Sequence, residues 1–176
     1  MTDTFVFVYG TLKRGFFNFE SFVRPAIERG KAEYLCDGLT VASDLCLVLR
    51  KERQVPALYR ATPGETGYRV PGEVFRVDAD VLKALDILEG VAEANYYREE
   101  VEIELTTAAP AAGWAPGDVV RCQIYFKVFD ASLAALDKVP EYTAALHAAY
   151  SSRRGTPMRE ILACIVGPVD SEQEQQ

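Results

Sequence analysis

The chain has 176 residues with 49% hydrophobic and 26% charged side chains, enough apolar content for one packed core and too much for a disordered or fibrous chain. Lys and Arg total 19 against 26 Asp and Glu, a net charge of −7, which speaks against nucleic acid or an anionic membrane as a partner. Cys36, Cys46, Cys122 and Cys164 are scattered among apolar neighbours without a CxxC pair, as expected of reduced packing thiols, and one histidine, His147, gives no metal-ligand spacing. No signal-like opening and no apolar run near ~20 residues is seen, so the expected location is cytoplasmic, with neither metal nor cofactor.

In chain order, Phe5 to Val8 predicts a buried strand that ends in a Gly10-Thr11 turn, where successive backbone N–H groups can converge on an anion. Phe16 to Arg29 predicts a loop and a helix interrupted at Pro25. Four short strands follow, Ala32 to Val41, Leu45 to Arg50, Val55 to Ala61 and Gly72 to Val77, and Asp78 is placed to cap a helix from Ala79 to Leu88 or Glu89 that stops at Gly90. Tyr96 to Thr106 alternates Val101, Ile103 and Leu105 with Glu100, Glu102 and Glu104, a strand with one buried face. After a Pro/Gly loop comes a strand over Val119 to Phe129, then an alanine-rich helix from Pro140 through Arg154, stopped by Gly155 and Pro157, and a further turn or helix from Met158 to Val166. The pattern predicts an α+β fold, a small mixed β-barrel with flanking helices. One domain is expected over 1–168 and a polar tail over 169–176.

Within the Ala79 to Glu89 helix, ~100° per residue puts Glu89 about 40° from Leu85, inside the apolar arc with Val81, Leu82 and Leu88. A carboxylate there is either a helix-end residue leaning to solvent or a group with raised pKa fit for general base work. Asp86, about 100° from Leu85, reads as a flanking residue that orients a neighbour. Tyr9, Tyr96, Tyr125 and Tyr142 can each line a pocket or simply pack. No GxSxG, GxGxxG or phosphate loop is present, so a Ser/His or Cys/His mechanism would rest on His147 alone.

These residues together resemble the γ-glutamylcyclotransferase-like (AIG2-like) family. Tyr9-Gly10-Thr11-Leu12 through Gly15 is similar to its YGTLxxG opening, and Gly72-Glu73-Val74 with Leu85-Asp86-Ile87-Leu88-Glu89-Gly90 to its GxV…LDxxEG segment. Tyr96, Val55-Pro56-Ala57-Leu58 and the Pro140-Glu141-Tyr142…Gly155-Thr156-Pro157 region complete the likeness.

The resemblance implies a 5-oxoproline-forming lyase or acyltransferase acting on a small γ-glutamyl substrate without cofactor. Glu89 would be its acid/base, Tyr9, Gly10, Thr11 and Leu12 would hold the γ-glutamyl group, and Tyr96, Tyr125 and Tyr142 would lie around it. Lys13 and Arg14 are then candidates for a second carboxylate, or ordinary loop charges. The alternative is a non-catalytic module binding a small acid or a partner on the same fold.

Overall fold

The structure, a computed structural model, describes residues 3–151 and 157–167. The strands are β1 (Thr4–Val8), β2 (Ala32–Thr40), β3 (Leu45–Arg50), β4 (Val55–Arg60), β5 (Pro71–Val77), β6 (Tyr96–Leu105) and β7 (Val119–Lys127). The helices are α1 (Arg24–Glu28), α2 (Ala79–Glu89), α3 (Ala131–Ala134), α4 (Ala144–His147) and α5 (Met158–Val166). Five strands close a barrel in the order β1-β5-β2-β6-β7. Its ladders are antiparallel except where β1 meets β7 in parallel, with Val6 opposite Gln123. The β3–β4 hairpin is a separate two-stranded sheet. The α+β mixed barrel expected from the pattern is therefore the fold.

Strand β1 is apolar from Phe5 to Val8 because both its faces are covered there. Val6 and Val8 pack with Leu85 of α2 and with Ile161 and Ile165 of α5, whereas Phe7 packs with Ile103 and Ile124 and with Leu45, Leu47 and Leu58 of the hairpin. In β6, Val101, Ile103 and Leu105 are buried while Glu100 and Glu102 are exposed, the one-sided burial that its alternation predicts. A π-helical turn over Phe19–Val23 runs into α1 with Arg24 N–H donating to Phe19 O, so the helical backbone continues through Pro25 rather than stopping there, and Pro25 marks the change from the π-helical to the α-helical segment. Three cysteines are buried, Cys164 is half-buried, and all four are free thiols.

The helix expected from Pro140 through Arg154 is only one turn, α4, among the described residues; 152–156, with Gly155, and the tail expected over 169–176 lie outside them. Two contacts shorten it. The Val139 N–H donates to Leu47 O at 2.9 Å, holding the chain extended along β3, and Thr143 rather than Pro140 caps the helix. Beyond His147, the Ser151 N–H turns away to Arg53 O at 3.0 Å. Ala144, Ala145, Ala148 and Ala149 are all exposed, so helix propensity acts without a buried stripe to sustain it. Strand β7 likewise ends at Lys127, short of Phe129, because Asp130 caps α3, a helix the sequence pattern does not signal.

Candidate active site

A cavity of about 330 Å³ lies where the end of β1, the end of α2 and the tip of the hairpin meet. Beyond Tyr9 the chain turns sharply: the Lys13 N–H donates to Gly10 O at 3.0 Å, and Phe19 N–H to Thr11 O at 3.1 Å. Asn18 Nδ2 donates to Thr11 Oγ1 at 2.7 Å. The carbonyls of Gly10 and Thr11 and the threonine hydroxyl are thus engaged, while the amides of Gly10, Thr11 and Leu12 donate to no other described residue. All three residues line the cavity. A Cβ at position 10 would fall 2.7 Å from Pro56 Cγ, so glycine is what lets this turn press against the hairpin.

Helix α2 delivers Glu89. Asp78 accepts from the Val81 N–H at 2.9 Å to start the helix, and Gly90, at φ 67°, ends it in the left-handed conformation. Asn95 fixes that end by donating from Nδ2 to Glu89 O at 3.3 Å and from its backbone to Gly90 O at 3.0 Å. The Glu89 side chain is half-buried against the cavity. Among the described residues no hydrogen bond or ion pair reaches its carboxyl, and burial pushes its pKa up to about 7. Of the two readings of Glu89, the helix phase leads to the inward one.

The tyrosines divide. Tyr9 donates to Tyr125 O at 2.7 Å, Tyr125 donates to Asp86 Oδ1 at 2.7 Å, and Tyr96 donates to Pro56 O at 3.0 Å, tying the barrel to the hairpin. All three line the cavity, and burial raises each phenol's pKa, so they present rings and fixed dipoles there. Tyr142 does not line it: the ring is fully buried at the edge of Phe16 (5.3 Å between centroids) and its hydroxyl meets His147 Nδ1 at 2.9 Å. Asp86 holds Arg98 in a fork, Nε at 2.9 Å and Nη2 at 3.2 Å, and so orients both Arg98 and Tyr125.

Lys13 and Arg14 are outside this cavity. They border a second one of about 300 Å³, paired to Glu141 at 3.3 Å and to Glu73 at 3.2 Å respectively, with the Arg14 guanidinium 3.5 Å above the Tyr34 ring. Burial raises the Cys36 thiol's pKa and takes that of Cys122 to about 12, which disfavours the thiolates that Cys chemistry needs. His147 is a clamp: its Nε2 accepts the Phe17 N–H at 3.1 Å, and its ring stacks on Phe16 and Tyr150. Among the described residues no three His, Cys, Asp or Glu side chains gather as metal ligands. No described helix is long and apolar enough to cross a membrane.

Sequence reasoning passed over Arg50, Arg53, Asn18 and Tyr150, all of which line the cavity. The only local signal for the arginines is their spacing in Arg50-Lys51-Glu52-Arg53, which reads equally well as an ordinary charged turn.

Fold and cavity define a class: a small α+β barrel protein carrying, among the described residues, one carboxyl in a pocket beneath a glycine turn. The profile of the family "Gamma-glutamyl cyclotransferase, AIG2-like" matches residues 6–141, and the chain belongs to that family. It is similar to γ-glutamylaminecyclotransferase of Rattus norvegicus, at 37% identity over 120 residues (68% of this chain, 75% of that one). To the Homo sapiens protein of that name it is 37% identical over 122 residues (68% and 76%). The crystal structure of an AIG2-like protein from Mus musculus superposes with a TM-score of 0.69 at 28% identity, covering 88% of this chain and 99% of the mouse chain.

Proposed function

We propose that this protein is a cyclotransferase that releases 5-oxoproline from γ-glutamyl compounds, γ-glutamylamines among them, with Glu89 as its acid/base. The observation that carries the reading is a single carboxyl, unpaired among the described residues and with a pKa of about 7, in a cavity that also holds the amides of Gly10, Thr11 and Leu12. The names of the relatives agree with it.

The substrate's α-ammonium gives a proton to Glu89, and the freed amine attacks its own γ-amide carbonyl. A C–N bond forms, closing a five-membered ring, and the C–N bond to the leaving amine breaks as Glu89 returns the proton to that nitrogen; the ring nitrogen's remaining extra proton passes to the departing amine, which leaves as an ammonium. One group of near-neutral pKa serves both transfers, since neither direction of the proton is strongly uphill. The Gly10 to Leu12 amides hold the substrate carboxylate or the developing oxyanion, and the curled substrate supplies its nucleophile at high effective concentration. A module that only bound a small acid would gain nothing from a desolvated carboxyl beside it.

The test is 5-oxoproline release from a γ-glutamyl amino acid and a γ-glutamylamine by wild type and Glu89→Gln. Loss of about 10²- to 10⁴-fold in kcat in the variant is expected. Equal activity of the two proteins would remove Glu89 from the mechanism, and a wild type inert on every substrate would end the reading.

A further inference from the structure

His147 does not line the cavity, yet its imidazole joins two segments that do. Phe17 begins the helical stretch that runs through Phe19–Val23 into α1. An amide in a first turn has no acceptor inside its own helix, and the Phe17 N–H donates instead to His147 Nε2 at 3.1 Å. Since Nε2 accepts, the neutral ring carries its proton on Nδ1 and donates it to the hydroxyl of the fully buried Tyr142 at 2.9 Å. The ring also stacks on Phe16, with 4.6 Å between centroids, and on Tyr150, with 5.1 Å. What it holds reaches the Gly10 turn. Asn18, buried and next to Phe17, donates from Nδ2 to Thr11 Oγ1 at 2.7 Å, and the Phe19 N–H donates to Thr11 O at 3.1 Å. The Asn18 side chain also hydrogen-bonds the Tyr150 phenol, so His147, Phe17, Asn18 and Tyr150 close a loop of contacts. Phe17, Asn18, Tyr150 and Thr11 all line the cavity.

We propose that His147 is a positioning residue for the cyclotransferase reaction: by accepting the Phe17 N–H it fixes Asn18, and through Asn18 the Thr11 amide that holds the glutamyl half of the substrate. This rests on the cyclotransferase reading. The Phe17 side chain is 41% exposed, so burial does not anchor the start of this helical stretch. Its amide donates to no other described group, which leaves the imidazole as the tie. Backbone amides serve a substrate oxygen only when held to within a fraction of an ångström, and that precision comes from the groups behind them. A phenylalanine at position 147 could stack on Phe16 and Tyr150 as well as the imidazole does, but it would leave the Phe17 N–H without its acceptor.

The experiment separates the acceptor from the ring. His147→Phe keeps a stacking ring without the acceptor, and His147→Gln keeps an acceptor near the Nε2 position without the ring. Leu133→Ala, in the Cys46 and Tyr59 cluster outside the cavity lining, controls for lost stability. With each protein held below its unfolding range, 5-oxoproline release is measured from a γ-glutamyl amino acid and a γ-glutamylamine. Heteronuclear NMR follows the Thr11 backbone amide and the Asn18 side-chain amide in the same proteins. His147→Phe should lose about tenfold in kcat/KM, by the same factor on both substrates because the glutamyl half is common to them, and should shift the Thr11 and Asn18 signals. His147→Gln should recover most of that loss, and Leu133→Ala should match wild type in rate and in those signals. Wild-type rates and signals in His147→Phe, or a His147→Gln protein as impaired as His147→Phe, overturn the proposal. So does a loss that differs between the two substrates, which would place the effect on the leaving half. If wild type releases no 5-oxoproline, the cyclotransferase reading fails by itself, and the signals with their response to the Phe and Gln changes still decide whether His147 positions the turn.

Discussion

Asp86 and Glu89 stand three residues apart on α2 in opposite electrostatic settings. Asp86 is saturated by the Arg98 fork and the Tyr125 hydroxyl, while among the described residues nothing donates to the Glu89 carboxyl. The engaged carboxylate of Asp86 holds its neighbours still; the desolvated one of Glu89 exchanges protons near neutrality. One helix turn thus supplies both a fixed brace and a titrating group.

If Glu89 is the base, the acid limb of the kcat/KM profile should have its midpoint near 7, falling about tenfold per pH unit below it. An ordinary glutamate would titrate near 4.5. A limb at that lower value, measured with a substrate that does not itself titrate between pH 4 and 8 as a control, would exclude the desolvated carboxyl as the controlling group.

Stability should show the same group with the opposite emphasis. The folded pKa of Glu89 is raised from 4.5 to about 7, so the unfolded chain loses this proton first. Whatever stability the protonated carboxyl contributes is fully present below pH 4.5 and is lost as pH rises through 7. Glu89→Gln should therefore be more stable than wild type by roughly 1–3 kcal/mol at pH 9, with the difference closing toward pH 4. Urea denaturation at the two pH values measures it; a pH-independent difference would contradict the assignment.

Asp86→Asn should destabilise by about 1–3 kcal/mol, because it leaves the half-buried Arg98 guanidinium without its counter-ion. Tyr125→Phe removes one hydrogen bond to the same carboxylate and should cost about 0.5–1.5 kcal/mol. The two share a partner, so the double variant should lose less than the sum of the singles. Strict additivity in denaturant midpoints would show that the phenol and the fork act independently.

His147 gives a pH effect of its own. Burial lowers its pKa below 6.5, so the unfolded chain takes up this proton more readily, and stability should fall as pH drops through 6.5. Protonation also removes the acceptor that Nε2 offers to the Phe17 N–H. His147→Gln should flatten the stability curve between pH 7 and 5; an unchanged slope would shift the effect to other groups.

The closed barrel was readable where local pattern and tertiary burial agree. Val101, Ile103 and Leu105 alternate because one face of β6 is covered, and Glu89 is inward because the phase of α2 carries it there. Tyr142 shows the limit: a tyrosine's composition does not say whether its ring meets a cavity or, as here, the edge of Phe16. The alanine-rich segment after Pro140 misleads for a related reason, since propensity is local and the pull of Leu47 on Val139 and of Arg53 on Ser151 is not. Arg50 and Arg53 were illegible because nothing within a charged turn reveals that it folds over the end of another strand.

Because β3 and β4 form their own sheet, the tip at residues 50–54 can vary in length or charge without disturbing the barrel ladders that hold Tyr9 and Tyr125 or the helix that ends at Glu89. The floor of the cavity and its rim are thereby carried by separate sheets. Changes within those five residues would reshape the cavity's rim alone, and the same five offer a compact target for grafting or saturation libraries.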